Sequence, residues 1–184
     1  MKVFFKRILS SIILLPLALY FIFKGSFYLI FFIIICFLVS SYEWHKMIKN
    51  INLKLLGLII LIFSFYSFHQ LTINNNILIP LFVCISTDIG GYIFGKTFKG
   101  PKLIKISPNK TYAGMIGGYF LSIIFILSYS YYLEIETTIA LFIITIFVSS
   151  ISQIGDIIIS YFKRLSKIKN TGNIIPGHGG LLDR

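Results

Sequence analysis

The sequence predicts an all-α polytopic membrane protein with about six transmembrane helices. Three observations carry that class. Hydrophobic residues fill 57% of the 184 positions and charged residues only 12%, with a mean hydropathy of +0.88, far outside the range of a water-soluble domain of this size. Apolar runs close to the length needed to cross a hydrocarbon core of about 30 Å recur along the whole chain. All but one of the 17 lysines and arginines fall in alternate loops, the pattern of short cytoplasmic loops.

Taken in order, the first span runs near Ile8 to Phe23, behind Lys2, Lys6 and Arg7. Those cations followed by an apolar run have the look of a secretory signal, but no small-residue cleavage site follows Phe23, so a retained helix is expected. The second span, Phe27 to Tyr42, closes on Glu43 and Trp44, read as a solvated interfacial acid beside an aromatic belt residue. Lys46, Lys49 and Lys54 lead into the third span, Leu53 to Phe68. The Asn74 to Asn76 tract precedes the fourth, Ile77 to Phe94. Lys96, Lys99, Lys102, Lys105 and Lys110 separate it from the fifth, Gly114 to Leu133. Glu134 and Glu136 mark an outer loop before the sixth, Thr137 to Ile159, after which Lys163, Arg164, Lys167, Lys169 and Arg184 follow. Lys24 alone stands on the opposite side, which puts both termini in the cytoplasm. The expectation is one integral membrane domain over 1–184, with N-terminal spans in 1–75 and the motif-bearing region in 77–184. Cys36 and Cys84 lie inside apolar spans without metal-ligand spacing and read as packed, reduced thiols.

A formal net charge of +11 is accounted for by topology and by anionic headgroups, so no nucleic-acid partner is expected. The segment GKTFKGPKLIKISPNKTYAGMIGG strings lysines between glycines and prolines, which should keep it out of regular structure until a helix opens near Thr111. Ser107 or Thr111 is positioned to cap that helix, whose N-terminus attracts phosphate. Two readings fit the loop: a polyphosphate-binding element, or a basic loop lying on lipid headgroups. The P-loop spacing is absent.

Six acidic residues in a membrane protein each need a reason. Asp88 lies within the fourth apolar run, in STDIGGYIFG, where an uncompensated carboxylate costs roughly 2.5–3.5 kcal/mol; a paired or metal-bound role is expected. Asp156 shares a helical face with Ser149, Gln153, Ser160 and Arg164. In the tail, Pro176, Gly177, Gly179 and Gly180 form a turn that exposes His178, followed by Asp183 and Arg184. Mg²⁺ takes oxygen ligands and often joins one or two carboxylates to substrate phosphates, so Asp156, Asp183 and Asp88 are the candidate metal ligands.

These residues carry a resemblance. The block SYFKRLSKIKNTGNIIPGHGGLLDR is similar to the signature of the phosphatidate cytidylyltransferase family, S-x-x-K-R, four residues, K-D, then P-x-H-G-G-x-x-D-R-x-D. Ser160, Lys163, Arg164, Lys169, Pro176, His178, Gly179, Gly180, Asp183 and Arg184 match in order and spacing. STDIGGYIFGK, ISPNKTYAGMIGG and QIGDIIIS resemble further family segments, so the likeness covers about the last hundred residues. Asn170 stands where the family has Asp and Ala113 where it commonly has Glu. The chain stops at Arg184, before the pattern's next acid, which implies a C-terminal truncation.

The resemblance implies condensation of CTP with phosphatidic acid to CDP-diacylglycerol and pyrophosphate, with Mg²⁺ as cofactor, at the face of a bacterial inner membrane. Implied catalytic residues are Asp156, Lys163, Arg164, His178 and Asp183. Implied substrate contacts are Ser107, Lys110, Thr111, Ser160, Lys169, Gly179, Gly180 and Arg184. Membrane lipids are the surroundings, and a homodimer is compatible with this reading. Two rivals stay open at this point. One is a non-catalytic member that retains lipid or nucleotide binding; the other is a transporter whose fourth helix breaks at Gly90 and Gly91 beside Asp88.

Overall fold

The apolar runs become six α-helices: α1 Lys2–Lys24, α2 Ser26–Met47, α3 Ile51–Ile73, α4 Leu78–Phe98, α5 Tyr112–Tyr132 and α6 Ile139–Leu165. A computed structural model describes residues 2–74, 76–104, 107–134, 136–175, 177 and 179–183. Helices α2 to α6 are each long and apolar enough to cross a membrane; in α1 the apolar stretch is the shorter Ile12–Lys24. The chain is an integral membrane protein.

Its burial pattern is inverted relative to a soluble domain. Phe63 is 71% exposed and Ile59 65%, while Ser122 and Ser149 are wholly buried and Thr145 is 1% exposed. Hydrocarbon solvates the large side chains as well as a protein core would, so helices meet through small and polar residues. Buried hydroxyls turn back on their own helices, as Thr145 does to the Leu141 carbonyl at 2.8 Å.

One expectation fails in the basic loop. Lys102–Ile104 (β1) and Ser107–Thr111 (β2) pair antiparallel, Lys102 opposite Thr111 and Ile104 opposite Ser107, with an irregularity between them. Gly100 and Pro101 act as punctuation ahead of β1, and Pro108 is accommodated in a two-stranded ribbon whose strands each have an open edge. Thr111 then caps α5, its hydroxyl accepting from the Gly114 N–H at 3.1 Å, while Ser107 stays in the strand.

The chain divides into two compact units, residues 76–161 and residues 1–75 with 162–184, so the tail groups with the N-terminal helices. In the unit 76–161, α4 and α5 approach through glycine. A Cβ at Gly90 would overlap the Gly117 carbonyl, and one at Gly114 would stand 2.8 Å from the Gly91 carbonyl. Helix α4 is continuous through Gly90 and Gly91, which serve helix packing; the broken helix of the transporter reading is absent. Thr87 donates to Ser149 at 2.8 Å, and Tyr119 bonds Ser150 at 2.9 Å, joining α4 and α5 to α6. In the other unit, Trp44 is buried rather than lying in an interfacial belt. Its indole N–H reaches the Leu53 and Lys54 carbonyls at 3.3 Å, and its ring stands edge-on to Phe162 at 4.9 Å.

Candidate functional site

In the unit 1–75 with 162–184, the tail is folded around two carboxylates. Helix α6 ends in a Schellman turn: Lys167 takes φ 56°, Ile168 N–H bonds the Lys163 carbonyl and Lys167 N–H the Arg164 carbonyl, both at 3.0 Å. The Ser166 hydroxyl ties this turn to the Met47 carbonyl at the end of α2, at 2.7 Å. Beyond it, Ile175 and Gly179 exchange backbone bonds of 2.9 and 3.1 Å, and Leu181–Asp183 forms a single 3-10 turn.

Asp183 accepts from Lys163 Nζ on Oδ1 at 2.6 Å, and from the N–H groups of Thr171 and Gly180 on Oδ2 at 2.8 and 3.0 Å. Burial alone would push this carboxyl up, but the Lys163 ammonium and the Gly180 and Thr171 amides outweigh it and hold it below the usual carboxylate value. Glu43, at the end of α2, is 1% exposed. Its Oε1 accepts from Leu181 N–H at 2.9 Å; its Oε2 accepts from Leu182 N–H at 3.0 Å and from the Thr171 hydroxyl at 2.8 Å. The solvated interfacial role expected of Glu43 is therefore wrong: the tail closes over it and supplies the donors that water would have supplied.

The glycines make room for these carboxylates. A Cβ at Gly180 would collide with both Glu43 oxygens and with the Thr171 hydroxyl. One at Gly179, where φ is +103°, would stand 2.6 Å from Asp183 Oδ2. Both amides are also engaged within the tail, Gly179 to the Ile175 carbonyl and Gly180 to Asp183. Asn170 lies beside Gly179, its Cγ 3.4 Å from where that Cβ would be.

In the unit 76–161, the hairpin presents Lys110 to Asp156 on α6 at 3.0 Å, with 28% and 59% of the two side chains exposed. The polar stripe on α6 thus divides by role. Ser149 and Gln153 lie in the helix seam, Gln153 reaching Ser149 at 3.4 Å, while Asp156 faces out. Asp88 is exposed on α4. Cys84, one turn earlier, hydrogen-bonds Ser152 and lies within electrostatic reach of both Asp88 and Asp156.

Of the expected site residues, the structure joins Lys163 to Asp183 and Lys110 to Asp156. Arg164 and Lys169 are exposed, and Ser107 and Ser160 half-buried. His178 and Arg184 lie outside the described residues. Glu43 and Thr171 were not anticipated. The signal for Glu43 was its rarity, one of six acids, set beside a glycine-rich tail in need of acceptors.

The expected metal ligands fit Mg²⁺ unequally. Among the described residues no three His, Cys, Asp or Glu side chains gather. Asp156 and Asp88 are both exposed, Asp156 with Lys110 on one oxygen, and exposed carboxylates suit an ion whose coordination is completed by water and phosphate oxygens. Asp183 does not fit. Both its oxygens already accept from donors, one of them a lysine ammonium.

The profile of the cytidylyltransferase family matches residues 53–184. The chain belongs to the cytidylyltransferase family. Within it, the chain is 41% identical to the phosphatidate cytidylyltransferase of Rickettsia prowazekii over 193 aligned positions, covering 97% of this chain and 84% of the relative. The protein of that name from Rickettsia bellii is also 41% identical, at 97% and 83% coverage. The one from Staphylococcus aureus is 44% identical over 100 positions, covering 53% of this chain and 38% of the relative. No solved structure matches the chain.

Proposed function

We propose that the chain condenses CTP with phosphatidic acid, forming CDP-diacylglycerol and releasing pyrophosphate. The observation that carries this reading is that the signature residues Lys163, Gly179, Gly180 and Asp183 belong to one hydrogen-bonded loop, in a chain 41% identical to a phosphatidate cytidylyltransferase across nearly its whole length. An oxygen of the lipid phosphate attacks the α-phosphorus of CTP, and the bond from that phosphorus to the bridging oxygen of the β-phosphate breaks. The lipid phosphate is already ionised near neutral pH, so no strong general base is required. The barrier lies in bringing two anions together, which fixed cations lower by positioning and by charge.

Lys163, held by Asp183 in one unit, and Lys110, beside Asp156 in the other, are each a candidate for such a cation, and Arg164 and Lys169 are exposed. Lys163 keeps Asp183 as its partner and has two further N–H donors to offer to phosphate oxygens. Asp156, with Asp88, would hold Mg²⁺, whose positive charge would offset that of the phosphates. His178 and Arg184 remain candidate nucleotide contacts by their place in the signature. The same reading puts the protein in a bacterial inner membrane with both termini cytoplasmic, where water-borne CTP meets a membrane-borne headgroup. The test is transfer of radiolabel from CTP into lipid by the purified chain in phosphatidic acid micelles, first with Mg²⁺ and then with EDTA. Mg²⁺-dependent label in the lipid phase is expected. Its absence from folded protein overturns the reading in favour of a non-catalytic member.

A further inference from the structure

We propose that Glu43 is a positioning residue for Lys163, acting through the tail rather than on substrate. The proposal rests on the nucleotidyl-transfer reading for its kinetic test and on geometry for the rest. A carboxylate with 1% exposure must be fully satisfied to be tolerated. Glu43 is satisfied without a cation: among the described residues the ion pairs are Lys110 with Asp156 and Lys163 with Asp183. Its described side-chain partners, the Thr171 hydroxyl and the amides of Leu181 and Leu182, all belong to the tail. A residue needed to hold α2 among its neighbouring helices would bond those helices. Among the described residues, the side chain of this one bonds only the segment that carries the signature.

The consequence runs outward in steps. Two successive amides on the two Glu43 oxygens fix the direction of the 3-10 turn Leu181–Asp183. The Thr171 hydroxyl has one proton, and the Glu43 oxygen at 2.8 Å is nearer than the Asp183 oxygen at 3.2 Å, so Thr171 is anchored to Glu43 while its amide holds Asp183. Asp183, fixed from both sides, fixes the ammonium of Lys163 at 2.6 Å. A lysine on its own carries that charge on a flexible four-carbon stem. Both Glu43 oxygens act as acceptors, so an amide cannot substitute: in either orientation its NH2 group meets a backbone N–H.

The experiment is a double-mutant cycle on turnover of CTP and phosphatidic acid in mixed micelles. Glu43→Gln should lower kcat/KM by about ten- to hundredfold, the range for losing hydrogen bonds to a charged group. In a Lys163→Ala background the same change should cost about threefold or less, because the group it positions is gone. Thr171→Val should lose activity in the same non-additive way, and Thr171→Ser should restore most of it. Full additivity with Lys163→Ala, or wild-type activity for Glu43→Gln, overturns the proposal. If Glu43→Gln does not fold, Thr171→Val with Lys163→Ala completes the cycle. If the unmodified chain turns over no CTP, the nucleotidyl-transfer reading fails by itself. Positioning is then read from amine labelling of Lys163 by mass spectrometry, expected to speed up in Glu43→Gln and Thr171→Val; an unchanged rate sinks it.

Discussion

At Asp183, desolvation and hydrogen bonding pull in opposite directions and hydrogen bonding prevails, leaving the carboxyl below its ordinary value of 3.8. A depressed folded-state value means that ionised Asp183 stabilises the folded tail. That contribution is complete above about pH 3.8 and is lost as the pH falls through the lower, folded value. Trp44 is the single tryptophan and packs on Phe162, next to Lys163, so its emission reports on this region. Thermal unfolding of the detergent-solubilised protein followed by Trp44 should show Asp183→Asn less stable than wild type at pH 6, with the gap closing as the pH drops below 3.8. A gap independent of pH contradicts the assignment. The residues of this network differed in how legible they were. Asp183 and Lys163 stand out because charge is scarce in the chain. Glu43 stood out equally, but its described partners lie more than a hundred residues away, and two of the three are backbone amides, which have no letter in the sequence.

Among the elements, the glycines of α4 and α5 show how one residue type fills different roles within a single turn. Gly90 faces the Gly117 carbonyl so closely that a Cβ cannot fit, whereas a Cβ at Gly91 would find its nearest neighbour, the Gly114 carbonyl, at an ordinary 3.7 Å. Gly90→Ala should therefore destabilise the protein in detergent by roughly 1–3 kcal/mol through forced separation of α4 and α5. Gly91→Ala should be neutral or slightly stabilising, because alanine is the better helix former. Thermal melts of the two variants check the contrast, and equal losses would mean that α4 and α5 do not meet on this face. The helices themselves were plain in the sequence because lipid imposes a minimum apolar length. Their ends were less so: α6 continues to Leu165, well past its last apolar run, because Phe162, Lys163 and Arg164 sustain a helix outside hydrocarbon. The β1–β2 hairpin was hidden for a different reason. Its pairing depends on a partner strand, while Gly100, Pro101 and Pro108 each signal a break when read alone.

For the whole molecule, alternation of charge sets the proposed orientation. Single cysteines placed at Lys49 and Lys99, in a background without Cys36 and Cys84, should react with an impermeant maleimide only from the cytoplasmic side. A cysteine at Glu136 should react only from the opposite side. Labelling of all three from one side would reverse or break the six-helix topology. In the sequence, lysine, histidine and acid packed together mark the tail, since a bilayer has no use for that combination. The sequence did not foretell that the tail groups with α1 to α3, because the intervening 76–161 forms a unit of its own. That arrangement bears on how the protein is made. Glu43 leaves the ribosome early, yet every side-chain partner described for it lies between Thr171 and Leu182, with residues 76–161 still to be synthesised and inserted in between. Until the tail arrives, Glu43 must remain hydrated at the membrane surface. Closure of the tail over it is therefore a late step of biogenesis, and it favours chains whose α4 to α6 have already entered the bilayer.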